Sequence, residues 1–132
     1  MIAVDTSAIV AIALNEAERE RFMQLIVASK RALISAATLV EARIVIRSRS
    51  SEQASYFIDE FLSSPPFETV NVDGTMADIA SRAYVSFGKG SGHPAQLNFG
   101  DVFSYALAKS RDVPLLFKGN DFSQTDVRVC DV

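Results

Sequence analysis

The amino-acid sequence predicts an α/β domain built around a mainly parallel sheet. Short apolar segments alternate along the chain with longer stretches of helical periodicity. This alternation is typical of parallel strands joined by helical crossovers, which cover both faces of the sheet. No repeat, linker or low-complexity segment divides the 132 residues, so we expect a single domain spanning positions 1–132.

The composition narrows the class of protein. With 48% apolar and 22% charged residues, the chain is too hydrophobic for a disordered segment. Its net charge of −3 argues against coating of nucleic acid by charge alone. One cysteine and one histidine exclude an internal disulfide, a thiolate zinc site and paired-histidine metal motifs. We therefore expect any metal to be held by oxygen atoms.

The apolar segments are too short for a membrane span. The longest uninterrupted run covers residues 8–14, whereas a transmembrane helix needs about 20 residues. No basic residue precedes this run, as it would in a secretory signal. We expect a cytoplasmic protein without membrane contact.

The N-terminal part of the chain predicts one strand and two helices. Residues 2–4 form a short apolar strand that ends at Asp5. An alanine-rich apolar run begins at Thr6 and indicates a helix. Residues 16–30 place apolar side chains at helical spacing among charges, which predicts a second, amphipathic helix. A strand-to-helix turn therefore lies at Asp5.

The next part repeats this order. Residues 32–34 read as a strand, and Ser35 is placed to cap a helix that runs to about residue 48. Ser50 and Ser51 are placed to cap another helix, which the prolines at 65–66 end.

The third part contains a strand, a helix and a loop. Residues 68–72 alternate as a strand, and Asp73 and Gly74 form a turn before a helical stripe that reaches Phe87. Three glycines and a proline then fall within residues 88–98. We expect this segment to be a mobile loop bordering the site.

The C-terminal part returns to the same alternation. Residues 99–111 are expected to be helical, residues 114–117 to form a strand, and positions 119–120 to form a turn. Residues 127–129 are expected to add a last edge strand.

Three aspartates occupy positions where a cleft is expected. Binding clefts of parallel sheets lie beyond the carboxyl ends of the strands. Asp5 ends the first strand, Asp101 opens a helix, and Asp121 follows a strand after a glycine-asparagine turn. Each of them alone is also placed to act as a helix cap. The sequence leaves both interpretations open.

Glu41 is the fourth acidic candidate. On a helical wheel it shares a face with Ala37, Ile44 and Val45, which predicts a carboxylate on an apolar helix face. A buried acid paired with an arginine and a solvated acid at the helix edge are both compatible with this pattern. We expect Glu41 to join the three aspartates.

A cluster of four acids has a chemical consequence. Repulsion and desolvation would cost it several kcal/mol unless cations occupied the site. Oxygen ligands select Mg²⁺ or Mn²⁺, and a carboxylate site with such ions suits phosphodiester hydrolysis. Arg43 and Arg47 share a helical face and are candidates for RNA-backbone contacts, although a solvated face is the simpler explanation.

Four segments that contain these acids resemble the motifs of a known family. Residues 4–12 (VDTSAIVAI) resemble the start of PIN-domain ribonucleases, in particular the VapC-type toxins of bacterial toxin-antitoxin pairs. Residues 35–41, 97–108 and 115–122 are similar to the second, third and fourth motifs of that family, in the same order.

The resemblance implies a fold and a function. The fold is a three-layer α/β/α sandwich, and the acidic site comprises Asp5, Glu41, Asp101 and Asp121, with Asp5 and Asp101 as the principal metal ligands and Thr6 in support. The resemblance further implies Mg²⁺ or Mn²⁺ as cofactor, RNA as substrate, a homodimer, and inhibition by a cognate antitoxin.

Two alternatives remain at this point. The first is a PIN scaffold without catalytic activity. The second is a phosphoacceptor receiver module, in which Asp73 and Lys118 would be the functional pair. A receiver carries two adjacent acids near its first strand, whereas Asp5 lies between Val4 and Thr6. A receiver also has no use for Glu41.

Overall fold

The computed structural model describes residues 1–130, and it confirms the predicted α/β class. Within these residues a four-stranded parallel sheet is covered by six α-helices. The strands are β1 (Ile2–Val4), β2 (Ala32–Ser35), β3 (Phe67–Val70) and β4 (Leu115–Leu116). The helices are α1 (Thr6–Ala13), α2 (Arg19–Ala28), α3 (Ala36–Arg49), α4 (Glu52–Leu62), α5 (Gly74–Phe87) and α6 (Asp101–Arg111).

Local capping explains where several helices begin. Ser35 accepts a hydrogen bond from the backbone N–H of Ala37, and Ser51 accepts one from Ala54. Asp73 accepts a hydrogen bond from the N–H of Met76 at the start of α5. These side chains satisfy N–H groups that have no partner within the helix. The predicted starts of α3, α4 and α5 are confirmed.

The pleat of the strands divides the core into two layers. Ile2 and Val4 face a core cluster shared with α1, α2, α3 and α4. Ala3, between them, faces a second cluster shared with α5 and α6. Successive side chains of a strand point to opposite faces, so both sides of the sheet are packed. This arrangement is the expected three-layer α/β/α sandwich.

The strand order is β3-β2-β1-β4. From β1 the chain adds β2 and β3 on one side, and it then crosses back to place β4 on the other side of β1. Because crossovers between parallel strands are right-handed, reversing the direction moves the connecting helices to the opposite face. The reversal leaves a crevice beyond the carboxyl ends of β1 and β4.

One expectation for the C-terminal half is wrong. Residues 127–129 do not form a strand; a single parallel bridge joins Leu115 to Val129. Strand β4 is paired with β1 along one edge. Along its other edge only Leu115 bonds to this segment, through its N–H to the Arg128 carbonyl and through its carbonyl to the Cys130 N–H. The bridge is therefore too short to count as a strand.

The loop of residues 88–98 is closed at its base. The Leu97 N–H donates to the Phe87 carbonyl at 2.8 Å, and the Lys89 N–H donates to the Leu97 carbonyl at 2.9 Å. Leu97 is fully buried in the core. Gly88 is buried at this base, whereas Gly90 and Gly92 lie in the exposed tip, where mobility stays a prediction.

Candidate active site

An acidic cleft opens beyond the carboxyl ends of β1 and β4. The structure brings all four predicted acids to its lining: Asp5, Glu41, Asp101 and Asp121. They arrive from four separate parts of the chain: the end of β1, the middle of α3, the start of α6 and the segment after β4. The predicted convergence of these side chains is therefore observed, whereas their catalytic roles stay a prediction.

Asp5 lies at the bottom of the cleft and is only 3% exposed. Its Oδ2 accepts hydrogen bonds from the Ser7 N–H at 3.0 Å and from the Ser7 hydroxyl at 2.7 Å. Its Oδ1 accepts one from the Ser104 hydroxyl at 2.5 Å. Asp5 is thus both the N-cap of α1 and a residue of the cleft. The capping position and the cleft position, which the sequence left as alternatives, are compatible.

Ser7 ties the two strand ends at the cleft to each other. Its hydroxyl, which donates to Asp5, also accepts a hydrogen bond from the Lys118 N–H at 3.0 Å. The segment after β4 is thereby fixed to the start of α1.

Glu41 reaches the cleft from α3. The Thr6 hydroxyl donates to its Oε1 at 2.5 Å, and the carboxylate lies against the backbone of Gly100. The predicted apolar face holds for Val45, which is half-buried, packs against the core and lines the cleft with Glu41, but not for Ile44, which is 63% exposed. The buried stripe of α3 is instead Thr38, Ala42 and Ile46, and Glu41 lies at its edge.

Asp101 begins α6 and exchanges two hydrogen bonds with Asn98. Its Oδ2 accepts from the Asn98 N–H at 3.0 Å, and its own N–H donates to Asn98 Oδ1 at 2.9 Å. This reciprocal pair has the form of a capping box.

The surroundings of Asp101 alter its acidity. Burial raises the pKa of its carboxyl to about 7, although the hydrogen bond from Asn98 acts in the opposite direction. The negative charges of Asp5, Asp121 and Glu41 are smaller contributions to this same rise. The four carboxylates are therefore close enough to interact electrostatically.

Asp121 follows a turn at Gly119, whose φ of 108° lies in the left-handed region that favours glycine. The residue precedes a 3₁₀ turn at Phe122–Gln124. Within the described part of the chain its side chain makes no capping hydrogen bond to that turn. The capping interpretation therefore does not explain Asp121, which is exposed at the rim of the cleft.

Comparison with known proteins decides the family. A family model described as PIN domain matches residues 2–128. The chain belongs to the PIN-domain family. Two relatives from Mycobacterium tuberculosis support this assignment. Ribonuclease VapC42 is 41% identical over 125 residues, covering 95% of both chains. Ribonuclease VapC28 is 43% identical over 125 residues, covering 95% of this chain and 94% of the relative.

Solved structures agree on the PIN fold. The crystal structure of Mycobacterium tuberculosis VapC20, described as a sarcin-ricin loop cleaving toxin, aligns with a TM-score of 0.77 at 20% identity, covering 96% of each chain. VapBC2 from Rickettsia felis, bound to a promoter DNA fragment, aligns with a TM-score of 0.76 at 15% identity, covering 99% of this chain and 98% of the other. At these identities the likeness concerns the fold alone.

The donor atoms of the PIN-domain cleft suit a hard cation. The four predicted acids offer carboxylate oxygens, the ligands that Mg²⁺ and Mn²⁺ prefer, while a fifth acid of the lining, Glu16, is paired with Lys118. Within residues 1–130, no three acidic, histidine or cysteine side chains are gathered into one metal cluster. Mg²⁺ is commonly held by one or two carboxylates and several waters, so the chemistry of the site fits the ion without a closed protein cage.

Arg43 and Arg47 lie away from the acids. They line a separate groove between α3 and α4, and Arg43 pairs with Asp59 at 3.1 Å. The basic residues that line the acidic cleft are Arg49 and Lys118. RNA binding by Arg43 and Arg47 stays a prediction, and neither of them lines the acidic cleft.

Sequence reasoning overlooked several residues of this site. Ser7 lies within the first motif, two residues after Asp5, and Arg49 lies two helical turns after Glu41, so proximity in sequence was an available signal for both. Ser104 is one turn after Asp101, but a serine inside a helix carries no functional signal by itself.

The receiver alternative does not fit the geometry. Asp73 caps α5 and lines a groove on the opposite part of the sheet edge with Arg111. Lys118 lines the acidic cleft instead, where its Nζ contacts Glu16 at 3.1 Å and Glu18 at 3.3 Å. The two residues a receiver would pair therefore lie at different sites.

Among the helices of residues 1–130, none is both long enough and apolar enough to span a bilayer.

Proposed function

We propose that this PIN-domain chain is an endoribonuclease and the toxin of a toxin-antitoxin pair. The observation that carries the proposal is the convergence of Asp5, Glu41, Asp101 and Asp121 on one cleft. Relatives 41% and 43% identical over nearly the whole chain carry the name ribonuclease. One structure of the same fold is a toxin-antitoxin complex from Klebsiella pneumoniae, which supports an antitoxin partner.

The reaction we propose is hydrolysis of an RNA phosphodiester bond with Mg²⁺ or Mn²⁺. Asp5 and Asp101 are the principal candidate ligands, and Glu41 and Asp121 complete the donor set. When bound, such an ion lowers the pKa of a water and neutralises charge on the leaving oxygen.

The chain's own residues hold the acids in place. Thr6 donates to Oε1 of Glu41, and Ser7 donates twice to Oδ2 of Asp5. Both residues belong to the first turn of α1, so one helix end orients two of the four carboxylates. Fixed donors of this kind reduce the reorganisation that the reaction would otherwise require.

The cleft also contains positive charge. Arg49 and Lys118 line it beside the acids. Lys118 is held by Glu16 and Glu18, which lie between α1 and α2. We propose that these two cations contact the phosphates that flank the cleaved bond, because lysine and arginine are the usual partners of the nucleic-acid backbone.

Cleavage of a defined RNA tests this function. Purified protein is incubated with labelled RNA and Mg²⁺ or Mn²⁺, with and without a chelator. We expect metal-dependent internal cleavage by the wild type and a loss of at least about a hundredfold for Asp5→Asn and Asp101→Asn. Asparagine at position 5 keeps a helix-capping side chain, so α1 retains its start.

Asp112→Asn is the matched control. This aspartate lies at the end of α6, where its side chain is 93% exposed and remote from the cleft. The Asp112→Asn variant should cleave RNA at the wild-type rate. Metal binding without cleavage by the wild type would instead support the silent PIN scaffold. Cleavage that survives both cleft substitutions would place the chemistry elsewhere.

Two assembly states are part of the proposal. The family resemblance implies a homodimer and a complex with a cognate antitoxin that covers the acids. Coexpression with the antitoxin should relieve the growth arrest that the wild-type chain causes alone. Asp101→Asn should cause no arrest in either case.

A further inference from the structure

Two buried hydroxyl groups lie behind the acidic cleft. Thr38 of α3 and Ser104 of α6 are each 1% exposed, and their side-chain oxygens are 3.2 Å apart. Neither residue is part of the cleft lining, so neither is placed to touch RNA. Their connection to the site runs through Asp5, because the Ser104 hydroxyl donates to Asp5 Oδ1 at 2.5 Å.

The direction of these hydrogen bonds follows from counting protons. A serine hydroxyl has one hydrogen, and an ionised carboxylate can only accept. The Ser104 hydrogen is therefore used on Asp5, so Thr38 must donate to the Ser104 oxygen. The result is a directed chain from Thr38 to Ser104 to Asp5. In a buried setting the bonds of such a chain strengthen one another.

The same count shows what remains free on Asp5. Each carboxylate oxygen has two lone pairs. Ser7 uses both on Oδ2, through its N–H and its hydroxyl, and Ser104 uses one on Oδ1. Among the hydrogen bonds of residues 1–130, one lone pair on Oδ1 is left for another partner.

The hydroxyl pair also joins the two helices that carry other acids. Thr38 precedes Glu41 by one turn of α3, and Ser104 follows Asp101 by one turn of α6. A contact between Thr38 and Ser104 therefore fixes the separation of these helices close to the cleft.

We propose that Ser104, held by Thr38, is a positioning residue that restricts Asp5 to binding a divalent cation through a single lone pair of Oδ1. This inference rests on the proposed function, since it assigns a role to Asp5 toward the metal. The serine acts through Asp5 and contacts neither RNA nor ion. Residues that orient a metal ligand typically change metal affinity about tenfold to a hundredfold when they are removed.

Mn²⁺ titration of the RNA-free protein tests this role. We expect Ser104→Ala and Thr38→Val to fold and to bind Mn²⁺ about tenfold to a hundredfold more weakly than the wild type. In the cleavage assay kcat should fall while KM for RNA stays unchanged, because both hydroxyls are buried. Thr38→Ser, which keeps a hydroxyl donor at this position, should bind Mn²⁺ with the wild-type affinity.

Ser110→Ala is the matched control on the same helix. Its hydroxyl donates to the Leu107 carbonyl and has no contact with the acids. The Ser110→Ala variant should bind Mn²⁺ with the wild-type affinity. If Ser104→Ala does not fold, Thr38→Val carries the test, because valine keeps the shape of threonine and removes only the hydroxyl.

The outcomes separate this proposal from the one it rests on. Wild-type Mn²⁺ affinity in Ser104→Ala and Thr38→Val, with only a lower melting temperature, would show that the pair is merely structural and would overturn the inference. A defect confined to KM would also overturn it. A wild type that neither binds Mn²⁺ nor cleaves RNA would overturn the proposed function itself.

Discussion

Gly100 provides the space that the Glu41 carboxylate occupies. A Cβ atom at position 100 would overlap both carboxylate oxygens of Glu41. The backbone of Gly100 is helical, with φ −67° and ψ −38°, so glycine is not required there for conformational reasons. The close approach of α3 to the start of α6 requires it instead.

Gly100→Ala should therefore impair the site more than the fold. Alanine suits a helical backbone, but its methyl group must displace Glu41 from its place beside Thr6. We expect RNA cleavage to fall by at least about tenfold, as for small displacements of catalytic groups. Melting temperature and cleavage rate, measured on the same preparation, check this expectation.

Gly74→Ala is the control for a glycine at a helix start. A Cβ at position 74 meets no atom within 4 Å. This variant should cleave RNA normally and be as stable as the wild type or slightly more so. Equal activity of both glycine variants would show that the position of Glu41 does not matter.

Asp101→Asn should change the pH dependence of stability in metal-free protein. The pKa of Asp101 is raised from 3.8 to about 7, mainly by burial. The protonated carboxyl thus contributes stability that is complete below pH 3.8 and is lost as the pH rises through 7. Asparagine stays uncharged throughout. The variant should match the wild type near pH 4 and melt at a higher temperature than the wild type at pH 8.

Thermal unfolding in the presence of a chelator measures this difference. A helix-capping role alone predicts the opposite sign at pH 8, because the charge-dipole interaction worth about 0.3 to 1 kcal/mol would be lost. A lower melting temperature of Asp101→Asn at pH 8 would therefore contradict the raised pKa of Asp101.

Divalent metal should stabilise the folded protein. An ion that binds only the folded state adds about 2.7 kcal/mol to the free energy of unfolding at a hundredfold excess over Kd. Melting temperature should rise with Mn²⁺ and Mg²⁺, and Asp5→Asn should reduce the rise. A melting temperature that is flat across millimolar metal in both proteins would speak against a metal site.

Tyr105 and Asp126 form a pair outside the cleft whose effect depends on pH. The Tyr105 hydroxyl donates to Asp126 Oδ1 at 2.5 Å and lowers the pKa of Asp126, as does nearby Lys109. A lowered carboxyl pKa contributes stability that is present above the ordinary value of 3.8 and is lost as the pH falls through the folded value. Tyr105→Phe should therefore cost about 1 kcal/mol at pH 7 and less in acid.

NMR titration of the Asp126 carboxyl checks the cause directly. In Tyr105→Phe the pKa should return toward 3.8. An unchanged pKa would mean that Lys109, at 3.2 Å from Oδ2, accounts for the shift.

The sequence by itself determined the features that depend on near neighbours along the chain. The caps at Ser35, Ser51 and Asp73 were predictable because each side chain bonds to an N–H two or three residues away. The alternation of strands and helices determined the α/β class, and the place of Asp5 at a strand end followed from it. The PIN resemblance rested on four short motifs of this kind.

Only the tertiary structure decided which side chains meet. The sequence showed that Arg43 and Glu41 lie on different faces of α3. It did not show that Arg43 pairs with Asp59 of α4, or that Glu41 contacts Thr6 and Gly100. The Ser104 contact with Asp5 spans 99 positions and left no mark on local periodicity. Periodicity specifies which residues share a face, whereas the crossovers and the packing of whole layers determine which faces come into contact.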